Sequence, residues 1–176
     1  MKTVSDMNMS ELAAYVCSHL LHNGIEVVLS GGACVSLYTA GQYVSYDLDF
    51  IENLSSGRKK LKKVLEQIGF HEEGRYFKHP ETDYFLEFPP GPLAVGDEPP
   101  QQIIILTFAT GQLKALSPTD CLKDRLSAYY HWNDRQCLEQ AMLIAKSQEI
   151  DSSEVERWSK GEGQLEKFAE FLRCIQ

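Results

Sequence analysis

The chain has 176 residues, 43% of them hydrophobic and 24% charged, the make-up of one globular domain that can bury a real core rather than of a disordered chain. Its formal net charge of −8 gives no support to a dedicated duplex DNA-binding module, which needs surplus Lys and Arg to displace counterions from phosphates, although a local phosphate site bridged by metal ions is compatible with it. No apolar run approaches the roughly 20 residues that span a bilayer, and the N-terminal stretch lacks a signal peptide's apolar core. A cytoplasmic protein with no membrane partner is the expectation. Cys17, Cys34, Cys121, Cys137 and Cys174 are scattered without a CxxC pair, so they read as buried thiols rather than a disulfide or zinc framework.

In chain order, Ser10 is the expected cap of a first helix, on which Leu12, Tyr15, Val16, His19 and Leu20 share a face and which Asn23-Gly24 stops. Ile25 to Leu29 is a short β-branched run, hence a buried strand. It ends in Ser30-Gly31-Gly32, after which Ala33 to Ala40 is compatible with a helix and Tyr43 to Ile51 reads as a second strand. The spacing of Leu61, Val64, Leu65 and Ile68 predicts an amphipathic helix over 56–68, with Lys59, Lys60, Lys62 and Lys63 on a solvated face. Two extended segments follow, around Phe70 to Lys78 and Asp83 to Phe88, separated by His79-Pro80-Glu81-Thr82. The Pro-rich run from Pro89 to Pro100 must be a loop, either a rigid connector or a clamp on a substrate beside Glu87. Gln102 to Phe108 is an apolar strand that turns at Thr110-Gly111.

At Ser117-Pro118 the pattern changes. Ser as cap, Pro at the first helical position and Asp120 in the first turn start a helix, and three more helical stretches follow. The organisation is therefore α+β over 1–116, with a helical C-terminal part over 117–176 packed on it.

Chemistry concentrates in two stretches. In Asp47-Leu48-Asp49-Phe50, alternation along a strand puts both aspartates on one face and sends Leu48 and Phe50 into the core. Two adjacent carboxylates repel unless a positive charge sits between them, and a hard divalent cation such as Mg²⁺ takes oxygen ligands of this kind. The Gly31-Gly32 turn, between a strand and a helix, offers backbone N–H groups and a helix N-terminus to an anion, with the Ser30 and Ser45 hydroxyls nearby. A phosphate cradle beside a carboxylate pair points to phosphoryl or nucleotidyl chemistry. Glu87, between the apolar Leu86 and Phe88, is a third acid that needs a partner; Asp83 shares its face but lies near the strand's start. The Tyr129-to-Arg135 run could stack a base, but core packing with an exposed edge is its default reading. His131 has no nucleophile signature beside it.

From Ile25 to about Phe88, and more loosely along the helix from Pro118, the sequence resembles the nucleotidyltransferase superfamily of the DNA polymerase β type, especially small prokaryotic members of toxin–antitoxin and abortive-infection systems. Gly31-Gly32, Asp47-x-Asp49 and Glu87 follow that superfamily's order of glycine turn, helix, Asp-x-Asp strand and third carboxylate. The resemblance implies a small mixed β-sheet with flanking helices. It implies Mg²⁺ or Mn²⁺ held by Asp47, Asp49 and Glu87 as the catalytic acids, and a nucleoside triphosphate such as ATP held by Ser30, Gly31, Gly32, Ser45 and Lys123. It further implies transfer of a nucleoside monophosphate to a hydroxyl of an RNA or protein acceptor, with an antitoxin as a possible protein partner. Two departures stand out: Tyr43-Val44 occupies the place where many relatives carry Arg, and the third acid is Glu rather than Asp. The first favours an alternative, the same fold serving as an inactive binding or sensor module.

Overall fold

A computed structural model describes residues 2–175 of the chain. A 3-10 turn at Val4–Asp6 leads into α1 (Met9–His22), β1 (Val27–Ser30), α2 (Gly31–Tyr38) and β2 (Asp47–Glu52). Then come α3 (Arg58–Glu66), β3 (His71–Glu73), β4 (Tyr76–Lys78), β5 (Phe85–Glu87), β6 (Ile103–Phe108) and β7 (Gly111–Leu116). Four helices close the chain: α4 (Pro118–Trp132), α5 (Arg135–Ser147), α6 (Ser152–Gly161) and α7 (Leu165–Ile175).

The strands form one mixed seven-stranded sheet in the order β3-β4-β5-β2-β1-β7-β6. β1 and β2 pair antiparallel, with Ser30 opposite Asp49, while β2 and β5 pair parallel, with Asp49 opposite Glu87. Helix α1 packs on β1, β6 and β7 and touches α3; α2 packs on β2 and touches α4 and α5. One buried cluster runs from Met7 through Leu48, Phe50 and Leu86 to Trp158 and Phe171, so the C-terminal helices share the core of the sheet.

Several local expectations are corrected. The cap of α1 is Asn8, not Ser10: the Asn8 side chain accepts from the Glu11 N–H and Glu11 accepts in return from the Asn8 N–H, a reciprocal box that Ser10, inside the first turn, cannot form. The second strand begins only at Asp47, because the Ser45 N–H is donated to Ser36 Oγ at 2.8 Å and not to a neighbouring strand. Phe70 to Lys78 is not one extended segment but a hairpin, reversed by a two-residue turn at Gly74-Arg75 with Gly74 at φ +64°. Gln112 to Leu116, left without an element by the sequence, is strand β7. It pairs along its length with β6 and meets β1 at Ala115.

The start of α4 follows its residues: Ser117 Oγ accepts from the Asp120 N–H at 3.1 Å with Pro118 at the first helical position. Among the described residues no helix is long and apolar enough to cross a membrane. Cys17, Cys34, Cys121 and Cys137 are free and buried, and Cys174 is free and exposed.

Candidate functional site

The sheet register builds the site. Parallel pairing of β2 with β5 sets Asp49 beside Glu87, and the strand period of two keeps Asp47 on the same face while Leu48 and Leu86 go to the core. One ligand oxygen each from Asp47, Asp49 and Glu87 lies within 4.8 Å of the others, and all three residues are half-buried. Burial, and then the Asp47 and Glu87 charges, push the Asp49 carboxyl up to about 7. Such a triad is short of positive charge, and oxygen donors at this spacing fit a hard divalent cation such as Mg²⁺ or Mn²⁺.

Ser45 sets one of these acids. Its hydroxyl donates to Asp47 Oδ1 at 2.5 Å, which fixes that carboxylate's orientation from the segment just before the strand. Ser30, buried, is the last residue of β1 and stands directly before α2, with its hydroxyl 3.4 Å from the Asp49 carbonyl oxygen to which it donates.

Gly31 opens α2 at φ +64°, and a methyl group there would run into the Asp49 carboxylate. Position 31 therefore needs glycine twice, for its backbone and for its closeness to the acid. Replacing Gly31 by Ala should cost about 1–3 kcal/mol from the left-handed backbone alone and displace Asp49. The check is a fall in Tm together with loss of any Mn²⁺-induced rise in Tm. At Gly32 an added Cβ would lie 3.1 Å from Ser45 Oγ and 3.2 Å from the Tyr43 hydroxyl. Tyr43 thus stands over the second glycine, and burial, followed by the Asp47 charge, raises its phenol.

Lys123 is corrected. Its side chain is 0% exposed, and Nζ lies 2.9 Å from both Asp120 Oδ1 and Glu154 Oε1. Sealed between two carboxylates, its ammonium is a structural charge and not one open to a phosphate. Two residues on, Arg125 lends a smaller, opposing positive charge to Asp49 and to the Tyr43 phenol, lowering both against burial and the neighbouring acids. It donates to Asp124 Oδ2 at 2.5 Å and to Gln140 Oε1 at 3.4 Å. A second cation, Arg75 on the β3–β4 turn, places Nε 3.4 Å from Glu87 Oε1.

Neither arginine was singled out from the sequence. Residues 123 and 125 lie about 200° apart around a helix, and only the packing shows which of them is sealed between carboxylates of its own. Arg75 is local to Glu87 only through the hairpin's register. His131 pairs with Glu162, Tyr129 and Tyr130 are buried, and Trp132 is 77% exposed. Asp83 lies before β5 and outside the triad. Glu52, Arg58 and the Phe88–Pro92 loop enclose a cleft of about 410 Å³ that opens past the end of β5.

No protein-family model matches the chain, and no curated protein matches it in sequence. Solved structures do match in shape. An antigenic nucleotidyltransferase-like protein from Paracoccidioides brasiliensis is 12% identical with a TM-score of 0.60, over 94% of this chain and 92% of that one. The antibiotic-resistance factor ANT(2'')-Ia in solution is 14% identical with a TM-score of 0.55, over 96% and 97%. Its complex with adenylyl-2''-tobramycin is 16% identical with a TM-score of 0.50, over 84% and 92%. The mixed sheet, the carboxylates gathered on its central strands and these likenesses along nearly the whole chain together give this protein the nucleotidyltransferase fold.

Proposed function

We propose that the protein is a metal-dependent nucleotidyltransferase that moves a nucleoside monophosphate from a nucleoside triphosphate to a hydroxyl acceptor and releases pyrophosphate. The observation that carries this reading is the parallel register of Asp49 with Glu87, which gathers three carboxylates in front of the Gly31-Gly32 turn. Asp47, Asp49 and Glu87 would hold Mg²⁺ or Mn²⁺. Bound there, the cation supplies charge for the attacking and leaving oxygens.

The chain's own groups do the rest. The N-terminus of α2, from Ser30 through Gly31 and Gly32, presents backbone N–H donors and the positive end of its dipole to the phosphates. Ser45 keeps Asp47 oriented. Arg125, held by Asp124 and Gln140, adds a positive charge that favours the ionised form of Asp49. On this reading residues 1–116 carry the chemistry and 117–176 brace it from behind, with Arg125 as the contribution of the helical part. The acceptor is an RNA end or a protein side chain, as for a toxin with its antitoxin in the cytoplasm. The aminoglycoside product in the ANT(2'')-Ia complex adds an amino-sugar hydroxyl to the classes worth testing.

Incubation with each α-labelled nucleoside triphosphate and Mg²⁺, offered total RNA, lysate protein and aminoglycosides, should label one acceptor class, and Asp47→Ala should label none. Absence of labelled product from any acceptor overturns turnover. Tyr43 favours a second reading, a nucleotide sensor: its hydroxyl faces Gly32, where a phosphate would otherwise have open approach. Nucleotide binding without product would support that reading.

A further inference from the structure

Arg75 is the second residue of the β3–β4 turn, and register places its neighbour Tyr76 opposite Glu87. The Arg75 side chain is 70% exposed and rests over the Tyr76 ring, 4.8 Å from its centroid. Its ion pair with Glu87, at 3.4 Å, is a single contact. Other surface arginines here are tied more firmly: Arg157 forks onto Glu98 and Glu154, and Arg135 meets Glu170 at 2.6 Å. Among the described residues Arg75 is the only cation paired with any of the three gathered carboxylates. An exposed pair of this kind is worth about 0–1 kcal/mol, so little holds it closed. A divalent cation and the guanidinium therefore compete for the same Glu87 carboxylate.

We propose that Arg75 is a hand-over residue: it covers Glu87 when no metal is bound, releases that carboxylate to the metal, and turns its guanidinium to the triphosphate of the arriving nucleotide. This rests on the nucleotidyltransferase reading above. The planar fork suits a phosphate, which accepts two parallel N–H bonds from it. The Tyr76 ring and the tight turn hold the stem in place while the head group changes partner. A triphosphate approaching three carboxylates needs such a cation, and an exposed arginine beside Glu87 is placed to supply it.

The proposal has two opposite signs, which a plain surface ion pair does not. Titrations of the full chain with Mn²⁺ alone, and with Mn²⁺ plus a non-cleavable α,β-methylene nucleoside triphosphate, separate them. In Arg75→Gln, Mn²⁺ alone should bind about 2- to 5-fold tighter, because an exposed ion pair no longer competes. The nucleotide analogue should bind about 10- to 100-fold weaker, the loss of charged hydrogen bonds. Arg75→Lys should fall between wild type and Arg75→Gln on both measures, and Lys63→Ala, an equal change of charge at an exposed lysine of α3, should move neither.

If both affinities move in the same direction, or neither moves while wild type binds the analogue, the hand-over is overturned and the reading of the site survives. If wild type binds neither Mn²⁺ nor the analogue, both fall together.

Discussion

Asn at position 49 should abolish nucleotidyl transfer and yet make the metal-free protein more stable at pH 8. The Asp49 carboxyl is pushed up to about 7 by burial and by its neighbours Asp47 and Glu87, from an ordinary value of 3.8. Between those two values the folded chain holds a proton that the unfolded chain has released, so stability falls as pH rises through this window. Above it the full penalty applies, at most about 4 kcal/mol for three units at 1.36 each, and less in so far as solvent screens a half-buried group. Asn removes the charge and the penalty while keeping the shape. The variant should therefore gain stability at pH 8 in EDTA, with little of that gain left near pH 4.

Mg²⁺ or Mn²⁺ should reverse the order, raising the Tm of wild type at pH 8 and leaving Asp49→Asn unmoved. The activity cost should be at least about 10³-fold, since several kcal/mol of charge stabilisation depend on this ligand set. Urea titrations at both pH values, with and without metal, make the comparison. A variant less stable than wild type at pH 8 in EDTA would show that the three acids are not in mutual repulsion.

Lys123→Met should cost about 3–5 kcal/mol, because it leaves the Asp120 carboxylate charged in a sealed site. At this chain length that lowers Tm by on the order of 10 °C. Asp120 is 0% exposed, and its Oδ1 accepts no hydrogen bond, so the Lys123 charge at 2.9 Å is what compensates it. Its Oδ2 accepts from the Gln102 N–H and from Ser117 Oγ. Glu154 suffers less, since Arg157, the larger of the two influences holding it down to about 2, remains.

Adding Asp120→Asn should recover part of the loss, the coupling expected of groups in direct contact. Transfer activity per folded molecule should be unchanged. A lysine that served the triphosphate would behave oppositely, with a large rise in KM and little change in stability, and calorimetry beside nucleotide kinetics separates the two.

The difference between the two positions shows where reading the chain stops. Lys123 and Asp49 are both charged residues beside apolar ones. Strand alternation over Asp47-Leu48-Asp49-Phe50 is local, so the shared face of the two aspartates followed from their spacing alone. The Ser117-Pro118 start of α4 and the Gly31-Gly32 break were local too, because capping and left-handed backbone are settled by a few neighbouring residues. A lysine on a helix carries no such sign. Asp120, one turn earlier, pairs with it, but the seal is completed by Glu154 from α6, 31 residues away. Strand β7 escaped notice for a related reason: Lys114 interrupts its apolar pattern, and pairing with β6 and β1 makes it a strand.

Local chemistry is written in the order of the residues: a strand closed by two glycines, a helix, two acids facing one way, and a third acid in an apolar setting that demanded a partner. Side-chain alternation and backbone sterics act over a few residues and leave their trace in the order of the letters. Register and helix packing, not spacing, bring Glu87 beside Asp49, set Arg75 against it from a hairpin turn and seal Lys123 between Asp120 and Glu154. Those are matters of register and of which helix face turns inward, fixed by cooperative burial of residues far apart along the chain.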